Sequence, residues 1–334
     1  MKQQRPATAS AVTDGLKLHR HSVQWSDRVR TVITLRPGTR ARFSTNRFHE
    51  TWHVLSDDHG ARLLARLLWG LSYQARPGTV VLIDRPFLTP NPFDADPADP
   101  IVLVPGWCTR FDDRAARRMR SRLPLRHPDG TVRWRTFGLD RALEPEAVES
   151  RRDRERYRKD TGRVARRCGL LVLTPGTPDE ARSWALQSAG LDPSDRWGTD
   201  YTYLGSWDHG YEGEVQIFRR FRPMVSVAAR ARAQVLARPC PPTSDDALRP
   251  AVWREAERVR GDAQLRIREW QGSSYQLGRA AAGMLARADV SSLDDLAEVG
   301  PVEAYRRMRG IPSHARRRGA GSRSRDALGD GGRA

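Results

Sequence analysis

Three short apolar runs constrain this chain most: TVVLID at Thr79–Asp84, IVLVP at Ile101–Pro105 and GLLVLT at Gly169–Thr174. Each is a handful of β-branched and Leu side chains bounded by Gly, Pro, Thr or Asp, the texture of a strand buried inside a sheet. Around them the texture alternates. Val23 to Leu55 reads as strand, with TVITL, RPGTR and ARFST predicting a hairpin about a Pro-Gly turn. A second hairpin is expected around HPDGTVRWRTF, and YTYLGSWDHGYEGEVQIFRRF reads as aromatic strands with Gly turns.

Helices announce themselves by caps and period. Ser56 is the expected N-cap of a helix carrying Leu63, Leu64, Leu67, Leu68 and Leu71, with Asp57 and Asp58 in its first turn. Thr177-Pro178-Asp179-Glu180 is a capping box with Pro at the first helical position, opening a helix through Ala189. A charged helix is expected from about Pro145 to Arg167, supported by the Glu155–Lys159 pair. After the Pro-rich stretch Arg238–Asp246, read as a linker, Val252, Ala256, Val259, Ala263, Ile267 and Trp270 form one stripe on a long helix. The expected fold class is therefore α+β. Residues 1–16 are expected to be disordered, 17–240 to form one or two mixed domains, 246–310 an all-helical module and 314–334 a disordered basic tail.

Charge narrows the partners. The 334 residues carry 58 Lys and Arg against 40 Asp and Glu, a net charge of +18. Such a surplus points to nucleic acid, an anionic membrane surface or acidic ligands. Only Lys2, Lys17 and Lys159 are lysines, an Arg bias that GC-rich codon usage also produces. No apolar run approaches the ~20 residues of a spanning helix, and no apolar core follows the basic N-terminus, so neither a membrane span nor a signal peptide is expected. Cys108, Cys168 and Cys240 stand far apart without metal spacing, which suits a cytoplasmic protein.

One motif promises chemistry. HETWH at His49–His53 fits H-E-x-x-H, and His59 stands where a third zinc ligand would fall. The pattern works only on a helix, where residues four apart bring both imidazoles to one ion; on a strand they stand about 13 Å apart. Phe48, Thr51, Trp52 and Val54 favour the strand, with His49 and His53 sharing one face and Glu50 on the other. A zinc-dependent hydrolase using this stretch is the alternative function, and a protein-interaction scaffold is a third. Asp94, Asp96 and Asp99 suit an acidic loop more than a cation site. Tyr201, Tyr203, Trp207, His209 and Tyr211 suit core and cross-strand pairs more than base stacking. The step LVLTPGTPDE lacks the glycines and Lys of a phosphate-binding loop. No catalytic residue, metal ligand or cofactor is assigned.

The segment QLGRAAAGMLARADVSSLDDLAEVGPVEAYRRMRG, Gln276–Gly310, carries a resemblance through Leu277-Gly278, the apolar positions Leu285, Ala288, Val290, Leu293 and Leu296, and Gly300, Ala304 and Tyr305. It resembles the C-terminal domain of the TfoX family of competence regulators, itself similar to helix-hairpin-helix modules. The resemblance implies a helical module docking DNA or a protein partner. Gly300 and Pro301 would open a helix whose free N–H groups face a phosphate, with Arg306, Arg307 and Arg309 beside it and Arg316 and Arg317 following in the tail. Asp289 and Glu298 depart from the pattern where the related modules have Gly. The leading expectation is a nucleic-acid-associated or regulatory protein that binds polyanion through its basic surface.

Overall fold

The computed structural model describes residues 15–25, 28–125, 127–149, 161–194, 197–205 and 212–272. The three apolar runs become β5 (Thr79–Ile83), β6 (Ile101–Leu103) and β9 (Leu170–Thr174), all inside one seven-stranded mixed sheet. The order is β7-β1-β2-β5-β6-β9-β8, completed by β1 (Gly15–Trp25), β2 (Arg28–Thr34), β7 (Gly130–Arg135) and β8 (Arg163–Arg167). β2 runs parallel to β5 and β6 parallel to β9, while the other neighbours are antiparallel. A second sheet of four strands has the order β10-β11-β4-β3, with β3 (Phe43–Phe48), β4 (Thr51–Ser56), β10 (Thr199–Leu204) and β11 (Gly213–Phe218).

Alternation explains why the central strands are apolar throughout. Val81, Ile83, Ile101, Leu103, Leu171 and Leu173 feed one core, and Val80, Leu82, Val102, Val104, Leu170 and Val172 feed another. Two long helices fill the first: α1 (Asp58–Leu71) through Leu64, Leu67, Leu68 and Leu71, and α4 (Pro178–Ala189) through Trp184, Ala185 and Leu186. Val54, Leu204, Val215 and Ile217 of the smaller sheet join that core. On the opposite face of the large sheet, α2 (Asp113–Ser121) inserts Ala115, Ala116 and Met119. A single-turn α3 (Leu139–Ala142) follows β7.

α5 (Phe221–Leu236) and α6 (Asp245–Gly272) make a helical hairpin in which Ala231 and Val235 meet Leu248, Val252, Ala256 and Val259. The Pro-rich stretch thus connects two helices that share a core, and Arg238 within it pairs with Glu255 at 2.7 Å. The chain divides into compact units at Val259, the second beginning at Arg260. Among the described residues no helix is long and apolar enough to cross a membrane.

Several local expectations need correction. TVITL and ARFST are not a hairpin: the Pro37-Gly38 turn is present, yet β2 and β3 go to different sheets. TVRWR does not fold back locally either, because β7 pairs with β1, and that strand begins at Gly15 within the stretch expected to be disordered. The charged helix cannot reach Arg167, because Arg163–Arg167 is the edge strand β8; helical structure is described only at 145–149. The cap of α1 is Asp57, whose Oδ1 accepts from the Gly60 N–H at 2.9 Å. Ser56 is instead the buried last residue of β4 and donates to the Arg42 carbonyl at 2.5 Å. Thr177 caps α4 as expected.

The contact between α1 and β7 is tight enough to test. Trp134 Nε1 donates to the Leu67 carbonyl at 3.0 Å, and a Cβ added to Gly70 would stand 2.1 Å from that Nε1 and 2.7 Å from the Arg135 carbonyl oxygen. Gly70→Ala should gain about 1 kcal/mol of helix propensity. Overpacking costs about 1–3 kcal/mol, and backbone cannot swing aside, so a net loss of stability is expected in urea denaturation. A variant as stable as the parent overturns this packing account.

Candidate nucleic-acid interface

HETWH is a hairpin. β3 and β4 pair from Phe43↔Ser56 to Phe48↔Thr51, leaving His49 and Glu50 as a two-residue turn with φ of 46° and 67°. Two successive positive φ values match a type I′ turn, whose twist suits the flanking strands. The expectation that His49 and Glu50 lie on opposite faces of a strand is therefore corrected, while His53 does sit on one. The helix that H-E-x-x-H requires is absent, and His59 lies in the first turn of α1. Among the described residues no group of three His, Cys, Asp or Glu could hold a metal ion.

The strand position gives His53 a different neighbour. Register places Tyr203, Glu214, His53 and Asn46 directly opposite one another across all four strands. Tyr201, Gln216, Leu55 and Ser44 form the next row on the same face. This is the face turned away from Val54, Val215 and Ile217, which belong to the main core. One end is capped by the start of α5 and the loop before β6: Leu55, Phe218 and Phe221 cluster with Phe93, Met224 and Val225. Toward the other end Phe48 is exposed.

Between the capped and open ends lies a buried polar band. His53 Nε2 is 3.7 Å from Glu214 Oε2, and both side chains are about nine-tenths buried. Burial, with a smaller like-charge push from His49, holds the His53 imidazole down at about 4. Burial alone pushes the Glu214 carboxyl up to about 7. The pair is therefore a neutral imidazole beside a carboxylic acid in mildly acidic solution. On the same face Ser44 Oγ and Asn46 Oδ1 are buried without a hydrogen-bond partner among the described residues. Glu214 was invisible to motif reading because its partner is so distant in the chain. The one available signal was the alternation in GEVQIF, which puts Glu214 and Gln216 opposite the core-facing Val215 and Ile217.

The aromatic strand differs from the core role expected for it. Tyr201 is 52% exposed and Tyr203 40%, and their rings meet edge to face with centroids 5.6 Å apart. β10 is an edge strand of the small sheet, so this pair stands at its margin. Trp197 just before it is 73% exposed, the most open large apolar side chain among the described residues. Arg219 is alongside: its N–H bonds the Gly198 carbonyl, and a Cβ on Gly198 would stand 3.2 Å from Arg219 Nη2. Trp207, His209 and Tyr211 lie outside the described residues.

Two other sequence features have internal roles. Asp96 accepts from Arg232 Nη1 at 2.6 Å and Arg249 Nε at 2.8 Å, and Asp99 accepts from Arg166 Nε at 2.5 Å. The acidic loop thus binds guanidinium groups of α5, α6 and β8. At the β9–α4 turn Glu180 is 1% exposed, its Oε1 accepting from the Gly162 N–H at 2.9 Å and its Oε2 from the Gly176 N–H at 2.7 Å. The backbone donors that would greet a phosphate there already hold a carboxylate. Gly300, Pro301, Arg306, Arg307, Arg309, Arg316 and Arg317, and the whole segment Gln276–Gly310, lie outside the described residues. Family models, curated proteins and solved structures were compared with this chain, and none matches it.

The His53–Glu214 pair has a pH signature. Folded His53 binds fewer protons than unfolded between about 4 and 6.5, which makes stability rise with pH there. Folded Glu214 binds more between 4.5 and about 7, which makes stability fall, so the two slopes oppose each other. Glu214→Gln removes only the falling one. The stability of the variant relative to the parent should therefore climb steadily from pH 4.5 to 7 in urea denaturation. A difference that stays level or shrinks means that Glu214 is an ordinary solvated carboxylate.

Proposed function

We propose that the chain is a nucleic-acid-associated protein that takes single strands on the margin of its four-stranded sheet. The observation that carries this reading is the exposed Tyr201–Tyr203 pair on edge strand β10. Exposed aromatic rings cost solvation and normally find cover. A strand edge that no other described strand covers, carrying rings a few ångströms apart, offers successive faces on which bases stack, at about 1–3 kcal/mol per base. Trp197 is also exposed, two residues before β10, and Arg219 brings a guanidinium beside Gly198.

Charge supports the same reading. Several described carboxylates are paired with Arg, as Asp96, Asp99, Asp113 and Glu255 are. The whole chain carries a surplus of 18 positive charges, which favours a polyanionic partner. The phosphate contacts expected of Gly300, Pro301 and the Arg306–Arg309 segment, with Arg316 and Arg317, would add sequence-independent affinity from the C-terminal module. Docking of that module on a protein partner is the competing role for the same segment.

The test is fluorescence anisotropy with a single-stranded oligonucleotide across a salt series. The parent protein should bind at low salt, with the logarithm of affinity falling linearly against the logarithm of salt concentration. Tyr201→Ala with Tyr203→Ala should lose about tenfold or more in affinity at every salt concentration, because stacking is removed and charge is not. Removing residues 314–334 should instead flatten the slope. Absence of binding at low salt ends the nucleic-acid reading and leaves a protein-interaction scaffold.

A further inference from the structure

A second site lies on the large sheet, away from the tyrosines. β2 and β5 are parallel neighbours, and a cavity of about 140 Å³ opens beyond their carboxyl ends, on the α2 side of the sheet. Crevices outside the carboxyl ends of parallel strands are the usual ligand positions of open sheets, since connections leave there and backbone groups stay unpaired. Its walls are apolar and flat-sided: Leu35, Pro37, Leu82, Pro86, Phe87 and Pro124. A cavity of about 150 Å³ takes one benzene-sized ring, so the space suits a single planar ring.

Its polar groups divide into committed and available ones. His21 is committed: Nε2 meets Thr34 Oγ1 at 3.0 Å, and the ring also bonds the His127 backbone. Asp84 is available. It is half-buried, yet it forms no ion pair among the described residues and accepts only from the neighbouring Arg85 backbone N–H. Burial raises its pKa, and Arg120 and Arg85 act on it only from longer range. By contrast, Asp94, Asp96, Asp99 and Asp113 each have a guanidinium within 4 Å. His19 lines the same cavity edge-on to His21, with ring centroids 6.4 Å apart, and hydrogen-bonds no other described side chain. The exposed Arg85 completes the lining.

We propose that this crevice binds a single-ring amino heterocycle of the cytosine type, with Asp84 accepting from the exocyclic amine. A carboxylate is the natural acceptor for the cytosine N4 amino group. Uracil presents an oxygen at that position and carries its proton on N3 instead, so a uracil ring seated in the same pose faces the carboxylate with like lone pairs. His19 supplies a donor for the ring carbonyl or ring nitrogen, the proline and Phe87 walls sandwich the ring, and Arg85 meets the phosphate of an attached nucleotide. The base comes either from a free nucleotide or from an unstacked position in a strand. The inference stands on the crevice alone and does not need the tyrosine surface.

Isothermal titration of the full chain with cytidine 5′-monophosphate and uridine 5′-monophosphate tests it. Cytidine monophosphate should bind at least about tenfold more tightly, the discrimination expected of one good polar contact to a base edge. Asp84→Asn keeps the shape but offers either an acceptor oxygen or a donor N–H by flipping its amide, so it should bring the two nucleotides to nearly equal affinity. Arg85→Gln should weaken both nucleotides without altering their ratio. Tyr201→Ala with Tyr203→Ala should leave nucleotide binding intact, which separates a failure of this site from a failure of the strand-binding surface. An oligo(dC) that displaces the nucleotide identifies the strand as the source, and one that does not identifies the free nucleotide. Equal binding of both nucleotides by the parent protein, no binding of either, or an unchanged preference in Asp84→Asn overturns the proposal.

Discussion

Burial of the central strands on both faces is the constraint from which the rest follows. Strands β5, β6 and β9 send alternate side chains into two separate cores, so each face needs its own cover. Helices α1 and α4 supply the first cover and α2 the second. Burying such side chains is worth about 1.5–3 kcal/mol apiece, which fixes the sheet and leaves the margins free to vary. The crevice beyond β2 and β5 lies past the ends of those strands, and the aromatic strand β10 is an edge of the separate four-stranded sheet.

The use of charge follows a similar division. Carboxylates at caps, in loops and within a helix are held by Arg: Asp57 by Arg222, Asp96 by Arg232 and Arg249, Asp99 by Arg166 and Glu255 by Arg238. The pairs involving Asp96 and Asp99 fasten a loop that would otherwise be an acidic, proline-stiffened excursion, and Arg249 ties the second half of the helical hairpin to it. Several of these pairs are partly exposed and contribute modestly each. Their shared effect is geometric, because one loop anchors helices that come from much later in the chain.

Local order was legible in the residues and long-range pairing was not. Thr177 with Glu180 marked the start of α4, the Leu repeat marked α1, and the apolar runs marked β5, β6 and β9, since caps and periods are set by near neighbours. The residues between TVITL and ARFST made a turn as read, yet nothing local says that the two strands diverge into different sheets. For β8, arginines promised a helix because Arg is a good helix former, while pairing with β9 overrode propensity. The exposure of Tyr201 and Tyr203 was equally hidden. An alternating aromatic strand looks the same whether its aromatic face meets a core or water, and only the core-facing Val215 of the adjacent strand decides which.

Glu180 gives the β9–α4 turn an internal counter-ion, so that turn is complete without a guest. Its two amide donors are answered by the chain itself, through a carboxylate that is 1% exposed. A turn of this kind is one side chain away from a vacant anion seat, because shortening that residue would leave the same donors facing an empty space of carboxylate size. The charge that turn needs is thus written into the chain itself, in one residue that also belongs to the capping box of α4.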